Sequence, residues 1–348
     1  MSRDIYVKLA QYLDMAPIGA PLTDNLIAIL ETLYTPEEAE LAAKLPFFNA
    51  DFPTLVQTTG MAEEKLREML VRMTKKGTVF MSEKGKFRLL PSVVGFAETP
   101  FWPGKRTEKT EKLARHWVDY FDEAFGKEIG DRATPSVRVV PVGESIASGA
   151  TVTPNEEIDG LLDQLDFFSV SHCPCRKMAE YAGEPHCDHS TENCFHFGSM
   201  AKYTVSVGMA REITKDEAKS MLNDAHEEGL VHMADNYGGR IATLCSCCGD
   251  CCIFMRTRKK IGFKNAFADS NYVMQVDADT CTGCATCEER CPVGAITVDD
   301  VSTVDTEKCI GCGVCYPTCP SGAISLVDRP DRKEILGVKE FVEAFMKK

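Results

Sequence analysis

The chain has 348 residues, 44% hydrophobic and 26% charged, and a formal net charge of −13. That length predicts two or three domains with a proper apolar core, and no stretch approaches the ~20 apolar residues of a membrane helix. The acidic balance works against nucleic acid or an anionic membrane as the main partner, and the N-terminus lacks the pattern of an export signal, so the cytoplasm is the expected compartment.

Residues 1–95 read as a helical domain ending in a hairpin. Leu26, Ile27, Leu30 and Leu33 share one helix face, and Thr35, Pro36 and Glu38 form a cap, a first-turn proline and a capping-box glutamate. A third helix carries Leu66, Met69, Leu70 and Met73 and stops near Gly77; the runs 78–81 and 87–90 then flank a Lys84-Gly85-Lys86 turn. Three helices and a hairpin resemble a winged helix. Lys65, Arg67, Arg72, Lys75 and Lys76 on its last helix raise DNA contact, but Glu63, Glu64 and Glu68 dilute them. Residues 1–100 hold eleven Lys/Arg against thirteen Asp/Glu. Packing or protein docking is the expected role.

Residues 91 to about 110, punctuated by Pro91, Pro100, Pro103 and Gly104, read as a linker. A cysteine-rich α/β middle domain is expected over 96–270. Leu113, Trp117, Phe121 and Phe125 suit an amphipathic helix, and 137–140 a short strand. Helices open at Thr153 and Thr214, the latter stopping at Gly229. The cysteine groups follow the apolar runs 167–170 and 241–244, which places them on loops at strand ends.

All seventeen cysteines fall between Cys173 and Cys319. Their neighbours are too close in sequence for ordinary disulfides, so metal ligation in a reducing, oxygen-poor cell is the better account. In the last part of the chain Cys281, Cys284, Cys287 and Cys291, followed by Pro292, form C-x2-C-x2-C-x3-C-P. Cys309, Cys312, Cys315 and Cys319, followed by Pro320, repeat it 28 residues later. Cysteines at two-residue gaps let a tight loop wrap one iron–sulfur cube, with Gly283, Gly311 and Gly313 allowing close backbone approach. Zinc knuckles show paired C-x2-C instead.

Over residues 272–328 this resembles the bacterial two-cluster [4Fe–4S] ferredoxin family, with a βαββαβ-like fold. The resemblance implies one cluster on Cys281, Cys284, Cys287 and Cys319. A second falls on Cys291, Cys309, Cys312 and Cys315. No position departs from the pattern, so neither should be a three-iron form. Between Val276 and Pro330 nine Asp/Glu oppose three Lys/Arg, which predicts low potentials.

Nine cysteines remain. Cys173, Cys175, Cys187 and Cys194 form C-x-C-x11-C-x6-C beside His172, His186, His189 and His196. They fit a third [4Fe–4S] cluster, a zinc ion or a redox-active thiol set. Cys245, Cys247, Cys248, Cys251 and Cys252 crowd into eight residues; a subset fits a fourth cluster, or two of them combine with the Cys173 group. Arg176 reads as a donor to cluster sulfur or a helix-surface arginine, and His232 as a core histidine or a ligand. The whole arrangement resembles a group of multidomain iron–sulfur proteins of anaerobes.

The expected fold is therefore α+β and multidomain, with domains at 1–95, 96–270 and 271–330 and a C-terminal helix over 331–348. The leading expectation is a non-catalytic electron-transfer subunit serving a partner oxidoreductase. Neither a Gly-x-Gly-x-x-Gly turn nor a phosphate loop is present, so no nucleotide cofactor is indicated. The alternatives are an enzyme with a substrate-reducing or thiol-redox site in the middle domain, and a redox-sensing DNA-binding regulator.

Overall fold

The computed structural model describes residues 2–347. The N-terminal part holds five helices rather than three: α1 (Ser2–Leu13), α2 (Asp24–Leu33), α3 (Pro36–Ala42), α4 (Phe52–Thr59) and α5 (Glu63–Lys76). The antiparallel hairpin of β1 (Val79–Met81) and β2 (Phe87–Leu89) follows. Thr35 accepts from the Glu38 N–H while Glu38 accepts from the Thr35 N–H, closing the capping box at the head of α3. α5 ends at Gly77, whose φ of 79° is the left-handed cap glycine allows. Leu26, Leu30, Leu66, Leu70 and Met73 are fully buried, so the 3.6-residue periodicity does face the core.

Four of the five basic residues of α5 are engaged. Arg72 and Lys76 both reach the buried Glu38, at 2.8 and 2.6 Å, Lys65 pairs with Glu37, and Arg67 lies 4.1 Å over the Phe52 ring.

The segment expected as a linker is packed. Phe96, Phe101 and Trp102 are buried, Thr99 donates to the Gly77 carbonyl at 2.9 Å, and Tyr181 donates to the Gly104 carbonyl at 2.7 Å. Prolines and glycines shape this stretch, but its aromatics tie the N-terminal helices to α6 (Glu108–Tyr120) and α7 (Gly126–Gly130) in one continuous core.

The middle region is a six-stranded sheet flanked by helices. In chain order it comprises β3 (Val137–Val139), α8 (Ile158–Asp163), β4 (Phe168–His172), α9 (Pro174–Ala182), β5 (Glu192–Phe197), α10 (Gly198–Ser206), β6 (Arg211–Ile213), α11 (Lys215–Glu227), β7 (Val231–Asp235), β8 (Thr243–Cys247) and α12 (Ile253–Arg256). Strand order is β3-β7-β8-β5-β4-β6, and every pair is antiparallel. This corrects the α/β reading of the middle domain. An α/β layer needs parallel strands joined by crossovers, so this unit too is α+β. α11 starts at the Thr214 cap as read, whereas α8 begins after Glu157 rather than at Thr153.

The last part contains β9 (Tyr272–Val276), α13 (Thr286–Arg290), β10 (Ile296–Val298), β11 (Ser302–Val304), a 3-10 turn over Tyr316–Thr318 and β12 (Ile324–Asp328). β9 pairs with β12 and β10 with β11, both antiparallel. This unit is seated on the middle region. Ala147 donates to the Leu326 carbonyl at 2.8 Å, Tyr272 to the Thr151 carbonyl at 2.9 Å, and Arg290 to the carbonyl of His226 at 2.7 Å. The closing helix α14 (Val338–Phe345) buries Phe341 and Phe345 in the N-terminal core. Among the described residues no helix is long and apolar enough to cross a membrane.

Candidate metal centres

The repeated spacing in the last quarter of the chain folds into two similar hollows. Cys281, Cys284, Cys287 and Cys319 line one; Cys291, Cys309, Cys312 and Cys315 line the other. The fourth cysteine of each run thus crosses to the other loop's hollow. Backbone donors point at the sulfurs: Ala295 N–H reaches Cys291 Sγ at 3.2 Å, Ala323 N–H reaches Cys319 Sγ at 3.3 Å, and Ser302 N–H reaches Cys281 Sγ at 3.4 Å. Such donors stabilise the thiolate form.

Two glycines make the loops possible. Gly283 has φ +63°, and a Cβ there would stand 2.5 Å from the Asp300 carbonyl oxygen. Gly311 has φ +65°, and a Cβ there would stand 2.1 Å from both Ser270 Oγ and the Tyr272 carbonyl oxygen. The chain is folded tightly around a space, which fits a bulky inorganic group gripped by its own loop.

The two hollows differ in depth. Cys284 is exposed, as are Asp277, Asp279, Glu288 and Glu289, which lie within seven residues of it in sequence. Hydrogen bonds from Thr286 hold its thiol below the usual range. Cys309, Cys312 and Cys315 are buried, and burial pushes Cys312 up to about 12. A thiol so disfavoured as an anion would lose its proton to solvent readily only if its sulfur bound a cation such as iron.

The remaining nine thiols are grouped across the two sequence motifs. β5 and β8 pair so that Cys194 lies directly opposite Cys245, and Cys247 follows on the same face of β8. Cys173 caps α9, Cys175 sits in its first turn, and Cys252 caps α12. These six thiols interact in a chain running Cys173, Cys175, Cys252, Cys247, Cys245, Cys194. Cys187, Cys248 and Cys251 form a separate trio, their sulfurs all within 4.8 Å of one another. Three cysteines lie within strands β5 and β8 rather than on the loops expected from the sequence. Donation from neighbouring thiols favours the thiolate at Cys245, Cys248 and Cys252, the last held at about 5.

Arg176 stands between the two thiol sets and is only 1% exposed, which corrects its reading as a surface arginine. It donates to the carbonyls of Ser190 and Ser246 and to Asn193 Oδ1, at 2.6 to 2.7 Å, and its Nε has no partner. Burial opposes its charge, but Cys173, Cys248, Cys187 and Cys247 outweigh that and raise its pKa. A buried guanidinium whose partners are all neutral needs nearby negative charge, and thiolates are the groups at hand.

Sequence reasoning gave no role to Glu98 and Trp102. Both are buried near Cys194 and Cys245. Burial raises Glu98 to about 8, and Trp102 packs edge-on at 4.5 Å against His196, whose Nε2 meets Ser171 Oγ at 2.9 Å. The signal missed was the aromatic content of residues 96–102. His232 is buried with Nδ1 3.0 Å from Ser246 Oγ, as a core histidine; His172 meets Thr191, and His186 and His189 sit towards the surface.

The middle region also abuts the second ferredoxin hollow. Cys247 and Cys252 share an apolar core with Ile310, Cys312 and Val314. No curated protein matches the chain. A family model for the 4Fe-4S binding domain matches residues 274–297 and 302–325, one motif in each half of the repeat. The C-terminal region is of the 4Fe-4S ferredoxin type, an iron–sulfur electron-transfer unit joined to a second cysteine-rich region.

Proposed function

We propose that the protein is an electron-transfer subunit passing single electrons, to or from a partner oxidoreductase, through two [4Fe–4S] clusters. Cys281, Cys284, Cys287 and Cys319 hold the outer one; Cys291, Cys309, Cys312 and Cys315 hold the inner one. The observation that carries this reading is the pair of four-cysteine hollows, one opening at exposed Cys284 and the other lined by three buried thiols and the half-buried Cys291. When bound, the clusters supply one-electron chemistry at potentials the protein tunes. The chain's own residues would ligate the clusters and donate N–H groups to sulfur.

The path leads inward. Cys312 packs in the same core as Cys247 and Cys252, so the six-thiol chain is the next stop and the place for a third cluster. The acidic rim around Cys284 favours a partner with a basic docking face. A cytoplasmic setting in an anaerobe agrees with so many thiols.

An enzymatic reading has one observation in its favour: the buried carboxyl of Glu98 and imidazole of His196 lie beside Cys245, where proton delivery would accompany electron arrival. The regulatory reading gains little from α5, where Lys65, Arg67, Arg72 and Lys76 are engaged by Glu37, Glu38 and Phe52. Iron and acid-labile sulfide per chain, after anaerobic purification, test the proposal. About eight iron atoms in the ferredoxin region are expected, and about four more if the six-thiol set holds a cluster. Fewer than eight, with zinc at the ferredoxin cysteines, would sink it.

A further inference from the structure

Cys187, Cys248 and Cys251 are set apart from the other thiols by their spacing. Among the described residues no other trio of cysteine, histidine or carboxylate donors has its ligand atoms all within 4.8 Å. The ferredoxin sets, each arranged around a hollow, are spread wider. A tetrahedral ion with metal–sulfur bonds of about 2.3 Å places its sulfurs about 3.8 Å apart. The Sγ atoms of Cys187 and Cys251 are 3.8 Å apart. Cube ligands sit on different irons and stand further from each other. The trio therefore has the dimensions of a single-ion site.

Two segments distant in sequence supply its three cysteines. Cys187 lies on the loop between α9 and β5, which Glu228 fixes by accepting from the N–H and hydroxyl of Ser190, at 2.9 and 3.0 Å. Arg176 grips the Ser190 carbonyl of the same loop at 2.6 Å. Cys248 and Cys251 belong to the turn after β8, where the Cys251 N–H donates to Cys248 Sγ at 3.2 Å. Cys247 and Cys248 are sequence neighbours whose side chains point opposite ways, so the strand end splits them between the two sets.

Charge agrees. Three thiolates on a divalent ion leave one negative charge, and Arg176, buried beside Cys248 and Cys187, supplies one positive charge.

Cys248 and Cys251 are buried while Cys187 is partly open. The loop and turn that carry them also border a hollow, lined by His186, Gly249 and Asp250, which adjoin the cysteines in sequence, together with Arg256, Lys259 and Lys260. Asp122 pairs with Arg256 at 3.0 Å; Lys259 and Lys260 are exposed.

We propose that Cys187, Cys248 and Cys251 hold a single zinc ion as three thiolates, with its fourth position open to this basic hollow for a small anionic ligand. Zinc is the divalent ion that soft thiolates and a tetrahedral shape select, and a three-ligand site with a free position is its reactive form. The site depends on the middle-region geometry and not on the ferredoxin reading.

Metal analysis of the full-length, anaerobically purified protein tests it. One zinc per chain is expected in addition to iron. Cys187→Ser, Cys248→Ser and Cys251→Ser should each lower zinc at least tenfold and leave iron unchanged, while Cys247→Ser and Cys252→Ser retain the zinc. Zinc lost equally from Cys247→Ser, or a wild-type chain without zinc whose iron falls in Cys187→Ser, would overturn the assignment. Because cysteine variants can misfold, the wild-type protein with cobalt in place of zinc gives a second readout. Its thiolate-to-cobalt absorption should shift on adding azide. Lys259→Ala with Lys260→Ala should raise the azide needed at least threefold. A cobalt spectrum unmoved by saturating azide would refute the open position.

Discussion

Cys247 of β8 and Cys312 of the second ferredoxin loop lie in one apolar core, with Val231, Met255, Phe267 and Ile310 between and around them. This contact fuses the ferredoxin-type region to the middle sheet, and it makes order along the electron path testable.

Cys284→Ala and Cys312→Ala should each lower iron by about four atoms per chain. Their kinetic effects should differ. The first removes the exposed entry and slows reduction by any soluble donor at least tenfold. The second leaves entry intact and cuts passage to the middle region. Rapid-mixing spectroscopy with a low-potential donor distinguishes them; equal effects on every phase would contradict the order.

Gly311→Ala places a Cβ 2.1 Å from two oxygen atoms at a backbone conformation with φ +65°. It should destabilise the ferredoxin region by about 3 kcal/mol or more and lower iron content. Gly322→Ala, at φ +67° with nothing within 4 Å, should cost only about 1 kcal/mol and keep its iron. Thermal unfolding and iron analysis of the two variants side by side separate crowding from backbone strain.

Arg176→Met removes a buried positive charge and leaves the carbonyls of Ser190 and Ser246 and the Asn193 side chain without their donor. The expected cost is about 3 kcal/mol. Any redox centre on the neighbouring thiols should become harder to reduce, because an added electron loses its nearest cation. Potentiometric titration should show a more negative midpoint, partly restored by Arg176→Lys.

Glu38 joins the capping box of α3 to Arg72 and Lys76 of α5. Burial opposes its charge, but Lys76, the Thr35 N–H and Arg72 outweigh that and hold the carboxyl below its ordinary value. A depressed folded pKa contributes stability that is full above the unfolded value of about 4.3 and lost as pH falls through the folded one. Glu38→Ala should cost about 2 kcal/mol at pH 7, with both cations partly exposed. Urea unfolding at pH 7 and at pH 3 should show the difference from wild type shrinking in acid.

Local signals were the legible ones. The capping box at Thr35, the α5 stop at Gly77, the Thr214 cap and the doubled cysteine spacing all act within a few residues, where side chain and backbone reach each other directly. The grouping of the nine middle cysteines was not legible, because it arises from sheet pairing. Cys194 meets Cys245 only when β5 lies beside β8, and no short-range feature dictates that neighbour. Reading each motif as its own ligand set would place Cys187 with Cys173, whereas the fold carries it to Cys248 and Cys251. Prolines and a glycine made residues 91 to about 110 look like a linker, yet Phe96, Phe101 and Trp102 bury themselves there. Burial of aromatics outweighs chain punctuation in that stretch.

The most direct measurement is a reductive titration of the anaerobically prepared protein followed by low-temperature electron paramagnetic resonance. Two cubes, each on four cysteines of one fold, should each take up one electron at low potential and give magnetically interacting signals. A protein that accepts no electrons and shows no iron–sulfide chromophore would contradict the account.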